Sequence, residues 1–203
     1  MEIKFNVDRK SAIFTAIILV LLLIIGFMVV GKDHDDHRDH MDMHSSGQMM
    51  NTQSSSFSGS DIMFAQMMIP HHQQAIEMSD LALKNSKNAD ILKLAGQIKN
   101  AQTPEITQMK AWLSSSGASE TMDHSMGMGG MLTDSEIKTL ASSTGKKFDS
   151  LFLTGMMAHH EGALHMVTMI TDSSNSQVKA LGESITKTQT AEIEVMKKIL
   201  KGL

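Results

Sequence analysis

The sequence predicts an all-α protein: an antiparallel four-helix bundle made of two repeated helical hairpins, preceded by one N-terminal transmembrane helix. Three observations predict it. A run of twenty uncharged residues stands near the N-terminus, the C-terminal part of the chain repeats itself at an offset of 87 to 88 residues, and both copies carry apolar residues at helical spacing.

The first element is residues 12–31, AIFTAIILVLLLIIGFMVVG. At about 1.5 Å per residue, twenty residues cross a hydrocarbon core roughly 30 Å thick. Lys4, Arg9 and Lys10 precede the run and KDHDDHRDHMD follows it, so residues 1–11 are expected in the cytoplasm and the rest outside, in the periplasm or at the cell surface. A cleaved signal peptide is the alternative, but the run is longer than the usual apolar core and no A-x-A site follows.

Residues 32–60 hold almost no aliphatic side chains and many Ser, Asp and His, so they are expected to form a flexible tether. They carry His34, His37, His40, Met41, Met43, His44, Met49 and Met50. Residues 61–203 are the expected bundle: repeat one at 61–113, a Met-rich linker at 114–132 and repeat two at 133–203. Met122, His124, Met126, Met128 and Met131 lie in the linker. Thioethers in an unpacked segment have no core to fill.

DIMFAQMMIPHHQQAIEM, from Asp61, returns as DSLFLTGMMAHHEGALHM, from Asp149. At 100° per residue, Asp61, Phe64, Met68, His71, His72, Ala75 and Met78 share one stripe about 120° wide. Asp149, Phe152, Met156, His159, His160, Ala163 and Met166 repeat it, while Glu77 and His165 point away. In the later helix of each copy, Gln102, Glu105 and Met109, and then Gln189, Glu192 and Met196, fall on the apolar face. The turn signals KNSKN at 84–88 and DSSN at 172–175 fold each pair back on itself. Counting outward from the turns sets His71 level with Thr103, Met68 near Glu105, His159 with Gln189 and Met156 with Glu192. Pro70 and Pro104 fall inside the expected helices, and Pro70 either bends its helix or delays its start.

Composition narrows the chemistry. The chain has no Cys, hence no disulfide, thiolate zinc site or cysteine nucleophile. With net charge −4 and 4% aromatic residues, it offers no nucleic-acid face. It does hold 20 Met and 10 His among 203 residues, the soft and borderline ligands left to a chain without thiols. A buried carboxylate needs a partner, so Glu105 and Glu192 either join a structural polar network or help bind a metal with the four core histidines. For Met68, Met78, Met156 and Met166, adaptable core filling competes with a ligand role.

The motifs MMIPHHQQAIEM with AQTPEITQMKAWL, and MMAHHEGALHMV with TQTAEIEVMKKIL, resemble domain-of-unknown-function family 305. That resemblance implies a ferritin-like four-helix bundle and exported relatives, some of which bind copper. Ile199 stands where the first copy has Trp112, which changes packing at that end but removes no ligand type.

The reading that follows is a membrane-anchored, extracytoplasmic metal-binding protein that buffers, scavenges or transfers metal. Cu(I) is the first ligand, with Cu(II) and silver as alternatives, and a metal transporter or metallochaperone is the expected partner. A structural bundle without metal is one alternative. Another is a di-metal ferritin-like oxidase, but that needs Glu-x-x-His on two helices and a Glu on each of the others, and here there are only two core Glu.

Overall fold

The computed structural model describes residues 56–121 and 129–203. The expected span at 12–31, the tether as far as residue 55, and Met122, His124, Met126 and Met128 of the linker lie outside the described residues. Among the described residues no helix is long and apolar enough to cross a membrane.

Four long helices form two antiparallel hairpins: α1 (Gly59–Asn85) with α2 (Ala89–Ser116), and, after the short α3 (Asp134–Ser142), α4 (Gly145–Val167) with α5 (Ser176–Lys201). A 3-10 turn, Thr168–Ile170, continues α4 toward the second loop. No strand occurs among the described residues.

Four of the five described α-helices begin where a side chain accepts from their orphan N–H groups; α4, which follows Thr144, has no such side-chain cap. Ser58 and Asp61 form a capping box that starts α1 at Gly59, two residues before the expected start of the bundle. Asn88 caps α2, and Gly117, at φ 69°, ends it in the left-handed region that glycine adopts without strain. Thr133 and Glu136 make a second capping box and start α3, an element the repeat analysis does not separate. Asn175 accepts from Gln177 N at 2.9 Å and Val178 N at 3.3 Å. Asn175→Ala is expected to cost the full-length chain about 1 kcal/mol, read as a lowered unfolding midpoint in urea; an unchanged midpoint would show that water replaces the cap.

Pro70 lies inside a continuous α1 and Pro104 inside α2, so neither delays nor ends its helix. Each removes only one backbone bond.

All seven residues of the stripe on α1 are buried, as are all seven on α4, whereas Glu77 and His165 are exposed. α1 packs on α2, α4 on α5, and the two hairpins meet through α1 and α4. The apolar core is divided in two. One cluster contains Phe64, Met68, Met109, Trp112, Met166 and Leu181. The other contains Met78, Ile91, Ile98, Phe148, Phe152, Met156 and Met196. Between them lie the buried polar residues His71, His72, Gln102, His159, His160, Gln189 and Glu192, which form a hydrophilic layer across the middle of the bundle.

Candidate metal centre

The layer is built by the two central helices. His71 and His72 on α1, and His159 and His160 on α4, are each 0% exposed. The rings of His71 and His159 stack across the hairpin interface with centroids 3.7 Å apart and planes tilted by 37°. The other two histidines turn outward to the flanking helices. His72 Nε2 meets Glu105 Oε2 at 2.8 Å, and His160 Nε2 meets Glu192 Oε2 at 2.7 Å. A carboxylate can only accept, so it draws the proton to Nε2 and leaves Nδ1 with a lone pair.

His71 is treated the same way by backbone. Its Nε2 donates to the Gly129 carbonyl at 3.3 Å, so its lone pair is also on Nδ1. Among the described residues, His71 Nδ1, His72 Nδ1, His160 Nδ1 and both nitrogens of His159 have no hydrogen-bond partner. The two amide atoms of Gln102 and Gln189 Oε1 are orphaned as well. So many unsatisfied polar atoms in one buried layer is unusual, since such groups are normally paired.

Burial decides the charge of the stacked pair. It lowers the His71 pKa to about 3, with repulsion from His72 adding to the effect and the Gly129 carbonyl opposing it. It lowers His159 further, to about 2, with His71, His160 and His72 all pushing the same way. The His71 backbone pulls weakly upward, although neither His159 ring nitrogen makes a hydrogen bond of ordinary geometry. Both rings are therefore neutral at physiological pH, the state in which imidazole is a ligand.

The expected ligands do not all meet. Four His and two Glu share the layer. Met68 and Met156 lie one helical turn from His72 and His160 in sequence, each in a different apolar cluster. Met78 and Met166 are six residues beyond His72 and His160, about 9 Å of helix rise away, and are core packing in the two clusters. Met131 is half-buried and lies two residues after Gly129, whose carbonyl reaches His71. Among the described residues, no three His, Asp or Glu side chains already converge as a cage for a cation. The donor chemistry fits a soft or borderline metal, but the layer is not a preformed site.

The register also differs from the loop count by about one turn: Glu105 meets His72, not the level of Met68, and Glu192 meets His160, not that of Met156. Side chains on a helix lean toward its N-terminus, so two antiparallel partners that touch have Cα atoms displaced in opposite senses.

Sequence reasoning missed the short backbone segment that closes the layer on one side. Gly129 and Gly130 (φ 82°) lie directly on α4. A Cβ on Gly162 would stand 1.9 Å from the Gly129 carbonyl oxygen, and one on Gly130 would stand 2.3 Å from that of Ala158. On the α1 side, Gln74 grips Leu132 by both backbone groups: Leu132 N donates to Gln74 Oε1 at 2.7 Å, and Gln74 Nε2 donates to Leu132 O at 2.8 Å. The one available signal was positional: Gln74 and Gly162 occupy the same place in the two repeats, HHQQA and HHEGA.

The fold and the layer together define a class: a duplicated helical-hairpin bundle whose central helices each bring a His-His pair into the buried core, faced by one Glu from each outer helix. The chain belongs to the family described as domain of unknown function (DUF305), whose pattern matches residues 61–200. A DUF305 protein of Streptomyces coelicolor is 30% identical, with 73% of this chain and 94% of that one covered and a TM-score of 0.67. A DUF305 fragment from Deinococcus radiodurans is 29% identical, with coverages of 72% and 99% and a TM-score of 0.68. CopM in its Cu(I)-bound form is 29% identical over 70% of this chain and 96% of its own, with a TM-score of 0.60. CopM has also been solved with Cu(II) and with silver. No curated protein matches the chain by sequence.

Proposed function

We propose that this protein binds copper, Cu(I) first and Cu(II) or silver as alternatives, and buffers, scavenges or passes on that metal from a membrane-anchored position outside the cytoplasm. The observation that carries the reading is the layer of fully buried histidines whose Nδ1 atoms have no partner. The copper- and silver-bound forms of CopM, a relative with the same fold, support the choice of metal.

His71 and His159 would hold the ion through neutral imidazole. His72 and His160 would join them, oriented by Glu105 and Glu192, the carboxylate partners that fix a ligating histidine's tautomer. Met68 and Met156, one helical turn from His72 and His160 in sequence, would supply thioethers that favour the monovalent ion. The histidines and methionines of the tether and linker would supply further soft donors, and the uncharged run at 12–31 would fix the protein to the membrane. The layer lacks the carboxylates of a di-metal oxidase, since each Glu is already committed to one histidine.

A structural polar layer is the competing reading, favoured by the hydrogen bonds that already pair His72 with Glu105 and His160 with Glu192. Titrating the full-length chain with Cu(I), Ag(I), Cu(II), Zn(II) and Fe(II) separates the two. With a ligand at a hundredfold excess over its Kd, a site in the fold adds about 2.7 kcal/mol of stability. The double variant His71→Leu/His159→Leu is expected to fold and to lose that gain for Cu(I). Should no ion stabilise the native chain, or should the double variant retain the whole gain, the layer is structural.

A further inference from the structure

The histidine layer is inaccessible as it stands, because all four rings are 0% exposed. Metal must therefore reach it through whichever cover opens most easily. Elsewhere among the described residues the layer is bounded by helices, which carry Glu105, Glu192 and the two apolar clusters. Among the described residues, the cover at the edge of His71 is the backbone of Gly129–Leu132, whose first residue is exposed.

We infer that Gly129–Leu132 is a docked strap that sets the tautomer of His71 and controls metal exchange at the histidine layer; the exchange part rests on the metal-binding reading above. The two central helices grip the strap by opposite means at equivalent repeat positions. Gln74 of α1 supplies a side chain that binds Leu132 twice, and Gly162 of α4 supplies empty space into which the Gly129 peptide sinks. Neither half of the grip has an evident role in the core, since Gln74 is only half-buried and Gly162 has no side chain to pack.

The strap's chemistry suits exchange. Its bond to His71 is long at 3.3 Å and its two glycines contribute no apolar side chain, while Leu132 packs half-buried on the second apolar cluster, so freeing the glycine end from this anchor costs less than parting two helices. While docked, the Gly129 carbonyl holds the proton on His71 Nε2 and keeps Nδ1 as the free lone pair, the role that Glu105 and Glu192 play for His72 and His160. His71 thus has a backbone acceptor where its neighbour has a carboxylate. Gly129, Gln74 and Gly162 are positioning residues; none of them is offered as a ligand.

Two readouts on the full-length chain test this. Imidazole 15N spectra of the metal-free protein report which His71 nitrogen carries the proton, whether or not metal ever binds. Stopped-flow removal of Cu(I) by a colorimetric chelator reports exchange. In the native protein His71 is expected as the Nε2–H tautomer. Gly162→Ala is expected to mix the His71 tautomers, leave those of His72 and His160 unchanged, and speed Cu(I) removal at least tenfold. Gln74→Leu, which removes both bonds to Leu132 without placing a Cβ against backbone, should act in the same direction and covers the case in which Gly162→Ala does not fold. Native-like His71 tautomer in both variants would overturn the strap. If the tautomer shifts but Cu(I) removal keeps its native rate, the strap positions His71 without controlling exchange, and the exchange half of the inference is wrong. If the native chain takes up no Cu(I), the metal reading fails and the spectra alone decide the positioning role.

Discussion

Between pH 7.5 and pH 5 the metal-free bundle is expected to lose about 4 kcal/mol of stability, most of what a small domain has. His71 and His159 are held neutral, with pKa values of about 3 and about 2 in the fold against 6.5 in the unfolded chain. Unfolding therefore takes up protons below pH 6.5. The contribution of the pair is fully present above that value and is lost progressively as pH falls toward the folded values. Each ring contributes about 1.4 kcal/mol per pH unit once well below 6.5, so the two together give the figure above. Urea unfolding at half-unit pH steps measures the slope. The variant His71→Leu/His159→Leu removes both titrating rings and should flatten it. An equal slope in the two proteins would mean that the stacked rings accept protons in the fold, and their assignment as neutral would be wrong.

Glu192→Leu is expected to cost about 3 kcal/mol, because it leaves the His160 Nε2–H buried with no acceptor. Glu105→Leu should cost less. The Glu105 side chain is 14% exposed against 8% for Glu192, so water reaches the His72 pair more readily. Changing both partners, His160→Leu with Glu192→Leu, removes donor and acceptor together and should recover most of the loss, to within about 1 kcal/mol of the native protein. Double-mutant cycles by urea unfolding give the coupling directly. If the double variant is as unstable as the sum of the singles, the pair contributes no coupling and the loss is one of packing.

Much of the fold and of the layer is legible in the sequence. Spacing alone puts Phe64, Met68, His71, His72, Ala75 and Met78 on one face, and each of them is buried. The duplication made that face certain, since a second copy repeats the same residue types at the same angles. What spacing cannot supply is the axial offset between neighbouring helices, which depends on the lean of long side chains and on loop shape; hence the one-turn error in matching Glu105 and Glu192 to their partners. The nine-residue α3 was too short to show a period, although Thr133 and Glu136 carried its start signal. The contact of Gly129 with His71 was hidden for a different reason. It joins residues 58 apart through a main-chain oxygen, and a carbonyl leaves no trace in residue type.

The division of the core into two apolar compartments fixes how the hairpins can slide. A shift of α4 along α1 by one turn, about 5.4 Å, would press imidazoles against Met68 or Ala75. The same shift would part His159 from His71 and drive polar atoms into hydrocarbon. The hydrophilic seam thus works as a key between two otherwise greasy and interchangeable surfaces, admitting one alignment and refusing its neighbours. The alignment stops short of a cage: among the described residues no three His, Asp or Glu side chains converge, so an incoming ion would still have to draw these rings together.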